Sequence, residues 1–112
     1  MKSSQNDSEQ VNVNMDEQMP QIGQIVKVLR GRDNGKYAVI VGLVEGRFAY
    51  IADGEKRKFD QPKKKNLLHL ELQNVISSEV ATSMEETGRV TNGKLRFALT
   101  KYVEDEVQSE GD

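Results

Sequence analysis

The chain has 112 residues, of which 36% are hydrophobic and 30% are charged, and its mean hydropathy is -0.67. This length holds one small domain with tails, and no apolar run approaches the ~20 residues that a membrane-spanning helix needs. The absence of cysteine excludes disulfides, thiolate metal sites and a cysteine nucleophile. The first residues lack the apolar stretch of a secretory signal, so we expect a cytoplasmic protein. We also expect no membrane partner and no cofactor.

Charge is distributed unevenly along the chain. The formal net charge is -2, but residues 1–20 carry a net charge of -3, residues 21–75 carry +5 and residues 76–112 carry -4. A basic segment between two acidic ones predicts a polyanionic partner for the middle of the chain. We hypothesise that the acidic ends reduce non-specific binding to that partner.

The first 75 residues divide into a polar tail and a β-rich segment. Residues 1–19 are rich in Asn, Gln, Ser and acidic side chains, which is typical of a disordered acidic tail. Alternating apolar positions then predict strands at about residues 24–29, 37–44, 47–52, 56–59 and 67–72. Glycine turns fall at 44–47 and at Asp53-Gly54, the latter a hairpin signal. Short strands with tight turns over residues 20–75 predict a mainly β fold, a small barrel of about five strands.

The loop between the first two predicted strands concentrates positive charge around flexible backbone. Gly31 and Gly35 leave their amides open to close approach, and Asn34-Gly35 tolerates the positive φ of a sharp turn. Three long cations crowd the same loop: Arg30, Arg32 and Lys36. Such a loop offers backbone donors and charge to phosphate groups.

The same residues carry a family resemblance. A characteristic spacing runs through Gly23, Val26, Val28, Gly31 and Gly35. It resembles the KOW motif of ribosomal and transcription-factor RNA-binding proteins, with Gly35 at the signature position. The course of the chain through Ala52-Asp53-Gly54 and Leu68-His69-Leu70 is similar to the archaeal and eukaryotic large-subunit ribosomal protein called fourteen-e. The similarity extends over residues 21–75, and the second glycine that many KOW loops have near Tyr37 is absent.

This resemblance implies an SH3-like barrel that binds RNA. Long cations pair with phosphates, and arginine can do so through two parallel hydrogen bonds. Beyond the loop, two further cationic runs follow the Asp53-Gly54 turn and Pro62. The RNA-binding residues that we predict are Lys27, Arg30, Gly31, Arg32, Gly35, Lys36, Tyr37, Lys56, Arg57, Lys58, Lys63, Lys64 and Lys65. A lysine run is usually a solvated surface. For residues 63–65, RNA binding and a solvated surface are equally good interpretations.

Other polar and aromatic residues point to packing rather than chemistry. His69 is the one histidine, in an apolar strand where a hydrogen-bonded side chain is the simplest interpretation. Leu68, Leu70 and Leu72 share one predicted face, which we assign to the core. The loop lacks the glycine spacing and the Ser or Thr of a phosphate-binding P-loop. We therefore expect no enzyme activity and no metal site.

The end of the chain predicts a helix beyond a spacer. Residues 76–89 are polar and predict a linker. Residues 90–105 repeat apolar positions at helical spacing after an N-cap at Thr91, with Val90 and Leu95 placed as a hydrophobic staple. Acidic residues 104–106 oppose the helix dipole, so we expect fraying there and an acidic tail over 106–112. The helix can dock on the barrel or on a protein partner.

Together these features predict a ribosomal or ribosome-associated protein that binds RNA, above all ribosomal RNA. We expect it to contact the phosphates of the RNA and to recognise the shape of the folded RNA. We expect a monomer when it is off the ribosome, with ribosomal proteins or RNA polymerase as further partners. Two alternatives stay open. One is a KOW protein-interaction module of a transcription or translation complex, and the other is a regulator that binds one transcript.

Overall fold

The structure, a computed structural model, describes residues 19–111, with side chains as far as residue 105. The predicted disordered tail therefore lies outside the described residues, apart from Met19. In chain order the elements are β1 Gln24–Val28, β2 Tyr37–Val44, β3 Phe48–Ala52, β4 Lys63–Asn66, a 3₁₀ turn Leu67–His69, β5 Leu70–Ile76, α1 Ser78–Thr87 and α2 Asn92–Gly111.

The five strands form one antiparallel sheet in the order β4-β3-β2-β1-β5. Strands β1, β2 and β3 each pair with the next strand along the chain, and β5 returns to pair with β1. Two irregularities in register, in the β1–β5 pair and the β2–β3 pair, bend the sheet. The predicted mainly β fold with a C-terminal helix is confirmed, and this strand order is compatible with a small barrel.

Strand β2 is buried on both of its faces, which divides the core in two. Ala38 and Ile40 belong to an inner cluster that also holds Val26, Val28, Ala49, Ile51 and Leu70. Val39 and Val41 point the other way and pack with Val80 of α1, with Leu95 and Ala98 of α2, and with Val90 between the two helices. Because side chains alternate along a strand, the run of apolar residues in β2 serves a sheet that is covered on both sides.

The turn between β2 and β3 is a two-residue hairpin. Glu45 has a φ of 55° and Gly46 has a φ of 69°, and Arg47 donates its backbone N–H to the Val44 carbonyl at 3.1 Å. Two successive positive φ values match the twist of the strands they join. The turn predicted at 44–47 is confirmed.

The predicted fourth strand is wrong, and the fifth begins three residues later than predicted. Residues 56–59 form a loop, because the Asp53 side chain accepts the backbone N–H groups of Glu55 and Arg57 and folds the chain back on itself. The strand that follows β3 is instead β4, which begins at Lys63. In the next segment a 3₁₀ turn interrupts the alternation. Leu68 is consequently 84% exposed instead of lying in the core with Leu70.

The predicted linker over residues 76–89 is also wrong, because helix α1 occupies most of it. The Ser77 hydroxyl caps the helix by accepting the Val80 backbone N–H at 3.2 Å, and Gly88 ends it in the left-handed conformation. Val80 is fully buried and Met84, one turn later, packs against the same cluster. Two apolar side chains four residues apart are enough to seat this helix on the sheet.

Helix α2 begins as predicted and docks on the sheet. The Thr91 hydroxyl accepts the Lys94 backbone N–H at 3.1 Å, which confirms the N-cap. Leu95, Ala98 and Tyr102 are buried, while Val103 is 40% exposed. Docking of the helix on the sheet, one of the two alternatives, is what the structure shows.

The far end of α2 differs from the prediction. The helix continues to Gly111, so the expected fraying at residues 104–106 is wrong. The expected tail over 106–112 is also wrong for the residues up to Gly111. The dipole acts within the last turn of a helix. Glu104 and Asp105 lie further back than that turn and are therefore not opposed by it.

Candidate nucleic-acid interface

The loop between β1 and β2, residues 29–36, is held in one shape by its own backbone. Gly35 donates to the Val28 carbonyl at 2.7 Å and Val28 donates to the Lys36 carbonyl at 2.9 Å. Gly31 and Gly35 have φ values of 95° and 89°, in the region that favours glycine. The predicted need for positive φ at Gly35 is confirmed, and Asn34 is not in that region. The loop therefore holds its cations on a fixed base.

At its exit the loop meets the turn after β3. The amino group of Lys56 lies within hydrogen-bonding reach of Lys36, which stabilises the uncharged amine of Lys36 and lowers its pKa from 10.5. Repulsion between the two ammonium groups lowers the pKa further, while Asp33 and Asp53 partly oppose the shift. An anion bound near these two exposed lysines would relieve their mutual repulsion.

The turn that carries Lys56 is held in place by hydrogen bonds to the first residues of α2. Arg96 donates from its guanidinium to the Gly54 carbonyl at 2.8 Å, and the Asn92 side chain accepts the Phe59 backbone N–H at 2.7 Å. Gly54 itself is buried against this helix. Lys58 is exposed and Arg57 is half-buried on the same turn. The start of α2 therefore positions the second cationic run.

On its other side the loop meets β4. Lys65 donates from its Nζ to the Arg30 carbonyl at 2.8 Å, and a Cβ at Gly31 would lie 3.3 Å from the same nitrogen. Lys65 thus ties the edge strand to the loop. Lys63 is exposed, and the Nζ of Lys64 lies 4.6 Å from the centre of the Phe48 ring.

These contacts bring three cationic segments, distant in sequence, onto one surface. We call this surface the cationic edge. It comprises Arg30, Arg32, Lys36, Lys56 and Lys65. The loop therefore adjoins both of the other segments, with Lys56 at its exit and Lys65 on its other side.

Two predicted residues face the helix layer instead. Lys27 lies in β1 between Tyr37 and Glu71, so a carboxylate is its cross-strand neighbour. The ring of Tyr37 packs edge-on against Tyr102 of α2, with centroids 5.2 Å apart. Both side chains are half-buried.

Sequence reasoning missed one cation of this region. Arg47 lies at the start of the segment that faces β4, and its carbonyl accepts the Leu67 backbone N–H at 2.9 Å. It was missed because it stands singly, outside any basic run. Its position directly after a glycine turn is the signal that marks it.

Within residues 19–111 no group of acidic, histidine or cysteine side chains is arranged to hold a metal ion. In that part of the chain, no helix combines the length and the apolar character needed to cross a membrane. The fold and the site together define a small antiparallel β domain, backed by two helices, with a concentrated cationic surface.

Comparison with known proteins places the chain in a family. No protein-family model matches it. It is 46% identical over 71 residues to a Bacillus subtilis (strain 168) protein named "Putative ribosome-binding protein YbzG", and the match takes in 96% of that protein and 63% of this chain. The chain therefore belongs to the family of that protein.

Proposed function

We propose that this protein associates with the ribosome and contacts ribosomal RNA phosphates through the cationic edge. The observation that carries the proposal is the meeting of three basic segments around the loop, where Lys36 adjoins Lys56 and Lys65 adjoins Arg30. The ribosome-binding name of the relative supports the same partner and a cytoplasmic place of action. The KOW resemblance of the loop supports RNA as the component bound.

The binding mechanism is charge neutralisation on a rigid support. A phosphate placed near Lys36 and Lys56 accepts hydrogen bonds from both and removes their mutual repulsion. The backbone at Gly35 allows an RNA strand to approach closely, because an added Cβ there would meet no atom within 4 Å. Arg32 is exposed at the centre of the loop and free to form paired hydrogen bonds with a phosphate.

The remaining predicted residues extend this surface. Lys58, Lys63 and Lys64 are exposed beside it, and Arg57 is half-buried. Phosphate contacts position a protein without reading sequence. The cationic edge therefore recognises the path of the RNA backbone.

The salt dependence of binding tests the RNA contact. Arg32→Ala and Lys36→Ala together should weaken binding to ribosomal RNA, and each lost phosphate contact should reduce the log-log salt slope by about 0.7 to 0.9. A matched control removes two exposed cations from α2, as Lys94→Ala with Lys101→Ala. An unchanged slope in the first double variant, or an equal change in the second, contradicts this interface.

Sedimentation tests the ribosomal partner. In a sucrose gradient at low salt, the full chain should migrate with ribosomal subunits, and the Arg32→Ala/Lys36→Ala variant should remain at the top. Migration of both proteins with the subunits assigns ribosome binding to another surface. Migration away from ribosomes, with co-purification of RNA polymerase, supports the protein-interaction alternative instead.

A further inference from the structure

Leu68 is a large apolar side chain that the fold holds in solvent. It is 84% exposed, in the 3₁₀ turn between β4 and β5. The Asn66 side chain accepts the Leu68 backbone N–H at 2.8 Å, and the flanking Leu67 donates to the Arg47 carbonyl at 2.9 Å. A single exposed leucine is ordinary on a protein surface. Two features distinguish Leu68: the hydrogen bonds that hold its turn in place, and the residues around it.

The surroundings of Leu68 are cationic. Leu29 donates its backbone N–H to the His69 carbonyl at 2.9 Å, so the backbone at Arg30 runs beside the turn that carries Leu68. Lys65 donates to the Arg30 carbonyl, and Arg47 adjoins the turn through its own carbonyl. The turn that presents Leu68 therefore adjoins three cationic residues drawn from three separate segments.

This combination selects the kind of ligand. The three cations attract phosphates, while the leucine needs an apolar face within reach of them. In a duplex the base faces are stacked on one another, but an unpaired nucleotide exposes its face close to its own phosphate. An apolar protein surface would satisfy the leucine but would leave the cations without counter-charges.

We propose that Leu68 packs on the face of an unstacked base in a single-stranded RNA loop, whose phosphates are bound by Arg30, Lys65 and Arg47. This inference rests on the proposed function and narrows its ligand to RNA with unpaired nucleotides. It also gives the protein a preference among RNAs that phosphate contacts do not supply.

Two labelled RNAs with equal numbers of phosphates test the inference: a hairpin with an unpaired loop and a blunt duplex. The wild-type chain should bind the hairpin more tightly in fluorescence anisotropy. Leu68→Ser should reduce that preference about fivefold, equivalent to roughly 1 kcal/mol, without changing the affinity for the duplex. Leu68→Met keeps the apolar contact and should keep the preference.

Phe97 provides the matched control. Its side chain is 56% exposed and lines a groove of about 640 Å³ with Val75 and Ile76, at the end of β5 away from Leu68. Phe97→Ser should leave both affinities unchanged, and circular dichroism melting should show that both serine variants are folded.

Each contrary result has its own meaning. An unchanged preference in Leu68→Ser overturns the base contact, as does equal wild-type binding of hairpin and duplex, although RNA binding itself then stands. If the wild type binds neither RNA, nor ribosomal RNA, the proposed function fails as well. If Leu68→Ser loses ribosomal subunits in a gradient but keeps its hairpin preference, Leu68 contacts a protein and the inference is wrong.

Discussion

The rings of Tyr37 and Tyr102 meet edge to face, with their centroids 5.2 Å apart and their planes at 65°. Tyr37 is the first residue after Lys36, and Tyr102 lies in α2 with its hydroxyl donating to the Gln73 side chain at 2.8 Å. This pair connects the exit of the cationic loop to the helix layer. Helix α2 therefore supports the cationic edge at two places, here and at the turn carrying Lys56.

We predict a stabilising coupling between these two rings. In a double-mutant cycle with Tyr37→Ala and Tyr102→Ala, the interaction should be about 0.5 to 1.5 kcal/mol, the range for aromatic pairs. Urea denaturation of the four proteins measures it. Tyr102→Phe alone should cost about 1 kcal/mol through the hydrogen bond to Gln73. Additive effects of the two alanine variants would show that the ring contact adds nothing to stability.

The Lys36–Lys56 pair predicts a pH dependence. The folded chain holds the proton of Lys36 less tightly than the unfolded chain, whose lysine has the ordinary pKa of 10.5. The unfolded state therefore binds more protons between the two pKa values, and the free energy of unfolding should rise with pH across that interval. Lys56→Gln should raise the pKa of Lys36, as NMR titration of its side chain can measure. A pKa of Lys36 that is the same in both proteins would contradict the contact.

Gly54 should tolerate alanine poorly. Its φ is 82°, and an added Cβ would meet the Asn92 carbonyl oxygen and the side chain of Arg96. Gly46 is the matched control, since its φ of 69° is similar but no atom lies within 4 Å of its added Cβ. Both substitutions strain the backbone, and Gly54→Ala should cost about 1 to 3 kcal/mol more because it also overpacks the helix contact. Equal melting temperatures would show that the turn can move away from α2.

Leu95 tests the contribution of the helix layer to stability. It is fully buried between α2 and the sheet, so Leu95→Ala should reduce the free energy of unfolding by about 2 to 5 kcal/mol. Phe97→Ala, two residues away on the exposed side of the helix, should change it by no more than about 0.5 kcal/mol. Chemical denaturation measures both. Similar losses in the two variants would indicate that α2 does not dock as described.

The first three strands could be predicted because pattern and turn agree there. Val26 and Val28 recur at alternate positions on one face of β1, and Gly46 supplies the turn that closes β2 onto β3. Strand β4 could not be found in this way, because three successive lysines carry no apolar alternation. That segment is a strand because it pairs with β3, an interaction that a local pattern does not contain.

The basic clusters are visible in the sequence, but the contacts between them are not. Sequence placed Lys36, Lys56 and Lys65 in separate basic clusters, and the fold brings the second and third clusters to the loop that carries the first. Leu68 was assigned to the core because strand parity was carried through residues that form a 3₁₀ turn. Helix α1 was missed because its apolar face is only Val80 and Met84 in an otherwise polar segment.

Strand β2 has no solvent-facing position between Ala38 and Val41, since all four side chains there are buried in alternate layers. Opening either layer alone leaves the other in place, so the amide hydrogens of this strand can exchange with solvent only when the whole domain unfolds. The same four positions are the least tolerant of polar substitution, because every one of them lies inside a core.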